Sequence, residues 1–139
     1  MLSGINPILT GQLLAQLDAM GHSDAVIVAD AHFPAERLAR RLVNLSGLRT
    51  PDVLRAIRSV IPLDDAPSLD LMASADGSRL PVQDELIAAA EAGESDIRFL
   101  DRHEFYDLAA DAFLIVRTGE TRVYGNALLR KGVVETEKS

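Results

Sequence analysis

The residues of this chain best equipped for chemistry fall in Gly21-His22-Ser23-Asp24, Asp30-Ala31-His32-Phe33-Pro34, Arg102-His103 and Arg122-Val123-Tyr124-Gly125-Asn126. A histidine titrates near neutrality, so His22 can take a proton and return it under working conditions. It can equally close off a preceding helix or stand in solvent. Asp30 can accept hydrogen bonds from ligand hydroxyls or orient a histidine; it can also serve as the turn residue ahead of Pro34. His32 reads as a structural donor or as a second acid–base group. Tyr124 and Asn126 both donate and accept, which suits a neutral, hydroxyl-rich ligand. Gly125 between them permits close approach of a ligand or marks a bulge. Arg102 offers a rigid fork of donors for hydroxyl oxygens or a carboxylate, or is an ordinary surface arginine. Arg37, Arg40 and Arg41 read as a solvated helix face.

Helical and extended patterns alternate between these runs. Leu9, Leu13, Leu14, Leu17 and Met20 recur at helical spacing, with Thr10 as N-cap and Gly21 as stop. Ala25 to Ala29 is a short β-branched run of the kind buried in a sheet. Pro34 opens a second helix carrying Leu38 and Leu42, and Thr50-Pro51 is a cap-plus-first-turn signature ahead of Val53, Leu54, Ile57, Val60 and Ile61. Leu69 to Ala75 reads as extended, Pro81 to Ala92 as helical with Gly93 as stop, and Ile97 to Leu100 as a strand. Asp101 and Glu104 form a capping box for a helix to about Ala110. Phe113 to Arg117 and Arg122 to Leu129 read as the last two extended segments. The pattern predicts a single compact α/β domain over residues 1–139, a central β-sheet flanked by helices, with a frayed tail from about Glu135.

The 139 residues carry 47% hydrophobic and 25% charged side chains, enough for one domain with a real core. The net charge of −7 disfavours nucleic acid, whose phosphates need Lys and Arg, and disfavours anionic membranes. With no cysteine, disulfides, thiolate nucleophiles and cysteine zinc sites are excluded. No apolar run approaches the length of a membrane span, and the N-terminus does not read as a signal peptide, so a cytoplasmic location is expected. There is no G-x-G-x-x-G, no phosphate-loop signature and no nucleophile elbow.

Met20-Gly21-His22-Ser23-Asp24, Ala29-Asp30-Ala31-His32-Phe33-Pro34, Arg102 with Phe105-Tyr106, Thr118-Gly119-Glu120 and Tyr124-Gly125-Asn126-Ala127-Leu128-Leu129 occur in one order over nearly the whole chain. In this the sequence resembles the fucose mutarotase and ribose pyranase family, and most closely its fucose branch. The resemblance rests on Asp30-Ala31-His32-Phe33-Pro34 and Tyr124-Gly125-Asn126; at position 103 a histidine follows Arg102 where an aromatic is often found. It implies the fold of that family and a cofactor-free isomerase interconverting the α and β anomers of a monosaccharide, L-fucose first. His22 would be the catalytic acid–base residue; Asp30, Arg102, Tyr124, Gly125 and Asn126 would bind the sugar, with no metal. It further implies a homo-oligomer, often a ring-like decamer, in which a neighbouring subunit completes each site.

Three other readings compete. One is a D-ribose pyranase of the same family. Another is a sugar-binding accessory protein with the same hydroxyl-binding residues but no proton shuttle. The third is a metal-dependent hydrolase or isomerase using His22, Asp30, His32 and His103, which lacks any compact ligand motif such as H-E-x-x-H.

Overall fold

Short apolar runs alternate with amphipathic segments because each strand of a covered sheet must bury both faces, while each helix buries only one. In the computed structural model, which describes residues 1–136, the order is α1 (Gly11–Ala19), β1 (Ala25–Ala29), α2 (Ala35–Leu38), β2 (Leu42–Leu45), α3 (Thr50–Arg58), β3 (Leu69–Met72), α4 (Pro81–Ala90), β4 (Ile97–Leu100), α5 (Arg102–Asp111), β5 (Leu114–Thr118) and β6 (Ala127–Arg130). The last residues of the expected tail, 137–139, lie outside the described residues. The strands form one six-stranded sheet in the order β2-β5-β1-β6-β3-β4. β6 runs antiparallel to β1 and β3, while the neighbouring pairs β1–β5, β2–β5 and β3–β4 are parallel. All strands but β6 therefore end at the same edge of the sheet.

Helices cover both faces. Leu13, Leu17, Val53, Leu54, Ile57 and Leu86 pack with Val26, Val28, Leu69, Leu71 and Val116 on one face. Phe105, Ala109, Phe33 and Ala35 pack with Ile27, Ala29, Met72 and Ile115 on the other. Strand residues alternate between the two cores as the pleat requires. The expected caps form at Thr10, whose hydroxyl accepts from the Leu13 amide at 3.2 Å, and at Asp101, whose carboxylate accepts from the Glu104 amide at 2.9 Å.

Several boundaries differ from the sequence reading. The second helix stops at Leu38 because Ala39 is extended, and Leu42 opens strand β2, with Val43 beside Val116. Local periodicity could not show this, since only β5 makes that strand. Thr50 lies inside α3, with Arg49 at the cap position, and its hydroxyl donates instead to Glu120 Oε1 at 3.4 Å. The extended stretch from Leu69 is a strand only to Met72, whose carbonyl accepts from the side-chain Nε2 of buried Gln83 at 2.7 Å. The last strand starts at Ala127; residues 122–126 form a loop in which Tyr124 is left-handed (φ 60°).

Gly119 shows how tightly the sheet edge is built. Its amide donates to the Leu48 carbonyl at 2.8 Å, and a Cβ there would stand 1.9 Å from the Ser46 carbonyl oxygen. Backbone on both sides leaves no side chain to move aside. Gly119→Ala is expected to destabilise the protein by about 3 kcal/mol, a fall in Tm of about 10 °C by thermal unfolding. Gly11→Ala, with nothing within 4 Å of the new Cβ, serves as the control and should leave Tm unchanged or raise it.

Candidate active site

The antiparallel β6 lies between β1 and β3, so its first residue, Ala127, pairs with Val28 and Leu71 near the ends of its neighbours at one edge of the sheet. Ligands in open α/β sheets gather at such an edge, where the strand ends leave a crevice. A cavity of about 220 Å³ opens there, lined by Asp30, His32, Phe33, Met72, Arg102, Tyr106, Val123, Tyr124 and Asn126. Asp30 comes from the end of β1, Met72 from the end of β3, Arg102 and Tyr106 from α5, and Tyr124 and Asn126 from the loop before β6.

Asp30 joins these pieces. Its side chain is buried, with one oxygen accepting from the His32 amide at 3.0 Å and the other from the Gly125 amide at 3.2 Å. Its own amide donates to Asn126 Oδ1 at 2.7 Å. With that oxygen occupied, the Asn126 amide nitrogen is the group left to donate to a ligand. Burial pushes the Asp30 carboxyl above the ordinary carboxylate range, against the pull of the His32 and Gly125 amides. Gly125 thus acts through its backbone, and a Cβ there would press within 3.1 to 3.2 Å of Arg122, Glu120 and Val82. The His32 ring leans over the rim, its Nε2–H donating to the Thr121 carbonyl at 3.0 Å.

An apolar wall faces these polar groups. Phe33 meets Phe105 edge-on at 5.8 Å and Tyr106 edge-on at 5.5 Å, which fixes the Tyr106 ring beside the cavity. Arg102 is the first residue of α5 and stands exposed at the mouth. A cavity with one apolar wall and several neutral donors and acceptors fits a small polyhydroxylated molecule.

The loop that presents Tyr124 and Asn126 is anchored by a buried carboxylate, Glu120. Glu120 is 2% exposed, and both its oxygens accept from Arg122, at 2.9 and 3.1 Å. Arg122 also pairs with Glu85 on α4. The Glu120 carbonyl accepts from the Ala31 amide at 2.8 Å, tying this loop to the one after Asp30. In the sequence Glu120 stands out only as part of Thr118-Gly119-Glu120; its anchoring role is not visible there, because its partners are distant or lie in the loop it organises.

The sequence-predicted residues divide into two groups. Asp30, Arg102, Tyr124 and Asn126 line one cavity, with Gly125 behind it. His22 does not. It precedes β1 whereas Asp30 follows it, so the strand's length of about 16 Å separates them along the sheet. The His22 ring is 59% exposed and its Nε2–H donates to Asp64 Oδ1 at 3.0 Å. His103 is exposed and does not line the cavity. Among the described residues no group of three or more His, Cys, Asp or Glu is placed to hold a metal, so His22, Asp30, His32 and His103 do not form the ligand set weighed above. Among the same residues no helix is long and apolar enough to cross a membrane.

Comparison with known proteins agrees with this architecture. The profile of the RbsD / FucU transport protein family matches residues 3–134. The chain belongs to that family. Among solved structures it is similar to the fucose mutarotase of Streptococcus pneumoniae in complex with L-fucose, at 33% identity and a TM-score of 0.90, over 96% of this chain and 100% of that one. It is similar to FucU from Bifidobacterium longum at 35% identity and a TM-score of 0.88, over 96% and 100% of the two chains. Bacillus subtilis RbsD complexed with D-ribose shares the fold, at 24% identity and a TM-score of 0.78, over 97% and 100%.

Two buried carboxylates give stability opposite dependences on pH. Arg122 holds Glu120 down to about 2 from its ordinary 4.5. The stabilisation from Glu120 is therefore complete above pH 4.5 and is lost as pH falls toward 2. Asp30, pushed upward by burial, favours the native state most when protonated, so it opposes folding increasingly as pH rises past 3.8. Glu120→Gln is expected to cost on the order of 3 kcal/mol at neutral pH. That cost should vanish by about pH 2, read by urea unfolding across a pH series.

Proposed function

We propose that the protein is an L-fucose mutarotase that interconverts the α and β anomers by acid–base-assisted opening and closing of the sugar ring. The observation that carries this is the cavity at the β1–β6–β3 edge, where Asp30, Arg102, Tyr124 and Asn126 surround a space walled by Phe33 and Tyr106. The similarity to a fucose mutarotase at 33% identity supports the choice of sugar.

In this reading Asp30, Arg102 and Asn126 hold the hydroxyls, and the apolar face of the ring lies against Tyr106 or Phe33. Opening requires the O1 hydroxyl to lose its proton as the bond from C1 to the ring oxygen breaks, and the ring oxygen to gain one. His22 takes the first proton and the Tyr124 hydroxyl, through a water, supplies the second; both return when the ring closes on the other face of the carbonyl. Groups so positioned contribute a rate gain of about 100- to 10,000-fold, or about 3–5 kcal/mol of barrier. That is ample for a reaction that already runs in water.

His22 and the cavity lie at opposite edges of one sheet, so His22 of a neighbouring copy serves each cavity in a homo-oligomer. Two features favour this: His22 is 59% exposed, and Val123 on the cavity rim is an apolar side chain 57% exposed. A head-to-tail interface of that kind repeats around a closed ring.

NMR saturation transfer between the anomers of L-fucose, with and without protein, tests the reaction. Accelerated exchange is expected; sugar binding without acceleration would instead support an accessory role. The same assay on D-ribose, including pyranose–furanose exchange, should show a much smaller acceleration, and the reverse preference would make the protein a ribose pyranase.

The two-chain site has its own signature. His22→Ala and Asp30→Ala should each lose most of the exchange activity. Mixed after dissociation and reassembly, the two inactive variants should regain up to about one quarter of it, because some cavities then pair an intact Asp30 with an intact His22. No recovery in a properly reassembled mixture would place both residues in one chain's site.

A further inference from the structure

His32 lines the cavity beside Asp30, yet in the reaction proposed above it holds no hydroxyl and moves no proton. It is fastened at both ends. Its amide donates to Asp30 Oδ1 at 3.0 Å, and the tip of its ring meets the Thr121 carbonyl at 3.0 Å. The neighbours of both residues are tied as well, since the Ala31 amide donates to the Glu120 carbonyl at 2.8 Å. A carbonyl oxygen can only accept, so the hydrogen in the ring contact is on Nε2. A neutral imidazole carries a single N–H, which leaves Nδ1 as a bare acceptor. Among the described residues none donates to it.

The rest of the cavity is short of such a group. Arg102 can only donate. Asn126 Oδ1 takes the Asp30 amide, and each Asp30 oxygen already accepts a backbone amide. The hydroxyls of Tyr106 and Tyr124 remain, and a neutral imidazole nitrogen is a stronger base than a phenol oxygen. A sugar hydroxyl donates as well as accepts, and its hydrogen costs free energy if it leaves water without finding an acceptor.

We propose that His32 is a specificity-determining residue: its ring, set as the Nε2–H form by the Thr121 carbonyl, accepts the hydrogen of one ring hydroxyl of the monosaccharide on Nδ1. This rests on the reading of the cavity as a monosaccharide site. A site built to pair with a hydroxyl discriminates against a sugar that lacks it, because the pairing group then loses its partner. The ring is placed before the ligand arrives, so little ordering cost falls on binding. The Glu120 loop therefore serves both walls of the cavity, presenting Tyr124 and Asn126 on one side and steadying His32 on the other.

His32→Leu and His32→Asn test this, with L-fucose exchange, calorimetric affinity and the ¹⁵N spectrum of the His32 imidazole as readouts. Wild-type His32 should be the Nε2–H tautomer, and fucose should shift its Nδ1 resonance. His32→Leu should raise KM about 5- to 30-fold, with kcat within about twofold. His32→Asn, whose Oδ1 branches from the same carbon as Nδ1, should recover part of that loss. The sharper measurement uses L-fucose with the hydroxyls on C2, C3 and C4 replaced singly by fluorine, which cannot donate. One replacement should weaken binding to the wild type yet cost nothing further in His32→Leu. A mere loosening of the loop would leave all these penalties the same in both proteins. That result, an Nδ1–H tautomer in the wild type, or a fall in kcat without a rise in KM overturns the role of His32 while fucose exchange stands. Binding without exchange strikes the mutarotase reading alone, and failure to bind any monosaccharide strikes both.

Discussion

The Asp30 carboxylate is the point on which the cavity depends. It sits at the end of β1, buried, and takes the amides of His32 and Gly125 on its two oxygens while the Asp30 amide binds the Asn126 side chain. Those bonds stitch the loop after β1 to the loop before β6. A buried carboxyl without such donors would carry a large desolvation cost, so the loops and the carboxyl require each other. The left-handed backbone at Tyr124 and the absence of a side chain at Gly125 follow from the same requirement, since the Gly125 amide must come close to Asp30.

Around that knot the fold supplies rigidity in layers. The Thr118 hydroxyl donates to the Ala29 carbonyl at 2.8 Å, and the Ala31 amide to the Glu120 carbonyl, so the ends of β1 and β5 are tied immediately outside the ladder. Arg122 and Glu85 then fasten the Glu120 loop to α4. On the far side Phe33, Phe105 and Tyr106 pack edge to face and set the apolar wall. A site assembled from the ends of β1 and β3, the start of β6 and the first turns of α5 is held by elements that the core already fixes, which is what a preorganised binding pocket requires.

The strand topology also gives the chain two functional edges. Loops at the finishing ends of the parallel strands carry the cavity, while the turn entering β1 carries His22, Ser23 and, from the segment after α3, the partner Asp64. The five residues of β1, four of them buried, separate them. In the proposed reading a head-to-tail assembly joins the two edges, so oligomerisation is a condition of the chemistry. The exposed His22 ring and the exposed Val123 then have a use that neither has in an isolated chain.

The apolar periodicity of Leu13, Leu17, Val53, Leu54 and Ile57, the β-branched runs at Val26–Val28 and Leu114–Val116, and the caps at Thr10 and Asp101 were legible because hydrophobic pattern and capping are local properties. By the same route the residue types at Asp30, Arg102, Tyr124 and Asn126 pointed to a hydroxyl-binding site. Strand β2, the early end of α2, the loop at 122–126 and the anchoring roles of Glu120 and Asp64 were not legible, because they depend on partners far away in the chain. Val43 is a strand residue through Val116, Thr50 is drawn to Glu120, and Asp64 meets His22 across 42 positions. The sequence by itself determined an α/β domain and the side-chain types available at each loop, since composition, spacing and side-chain chemistry are written in it directly. Only the tertiary structure decided that Asp30, Arg102, Tyr124 and Asn126 share one cavity while His22 lies at the other edge. That separation follows from sheet order and strand direction, which depend on long-range backbone pairing.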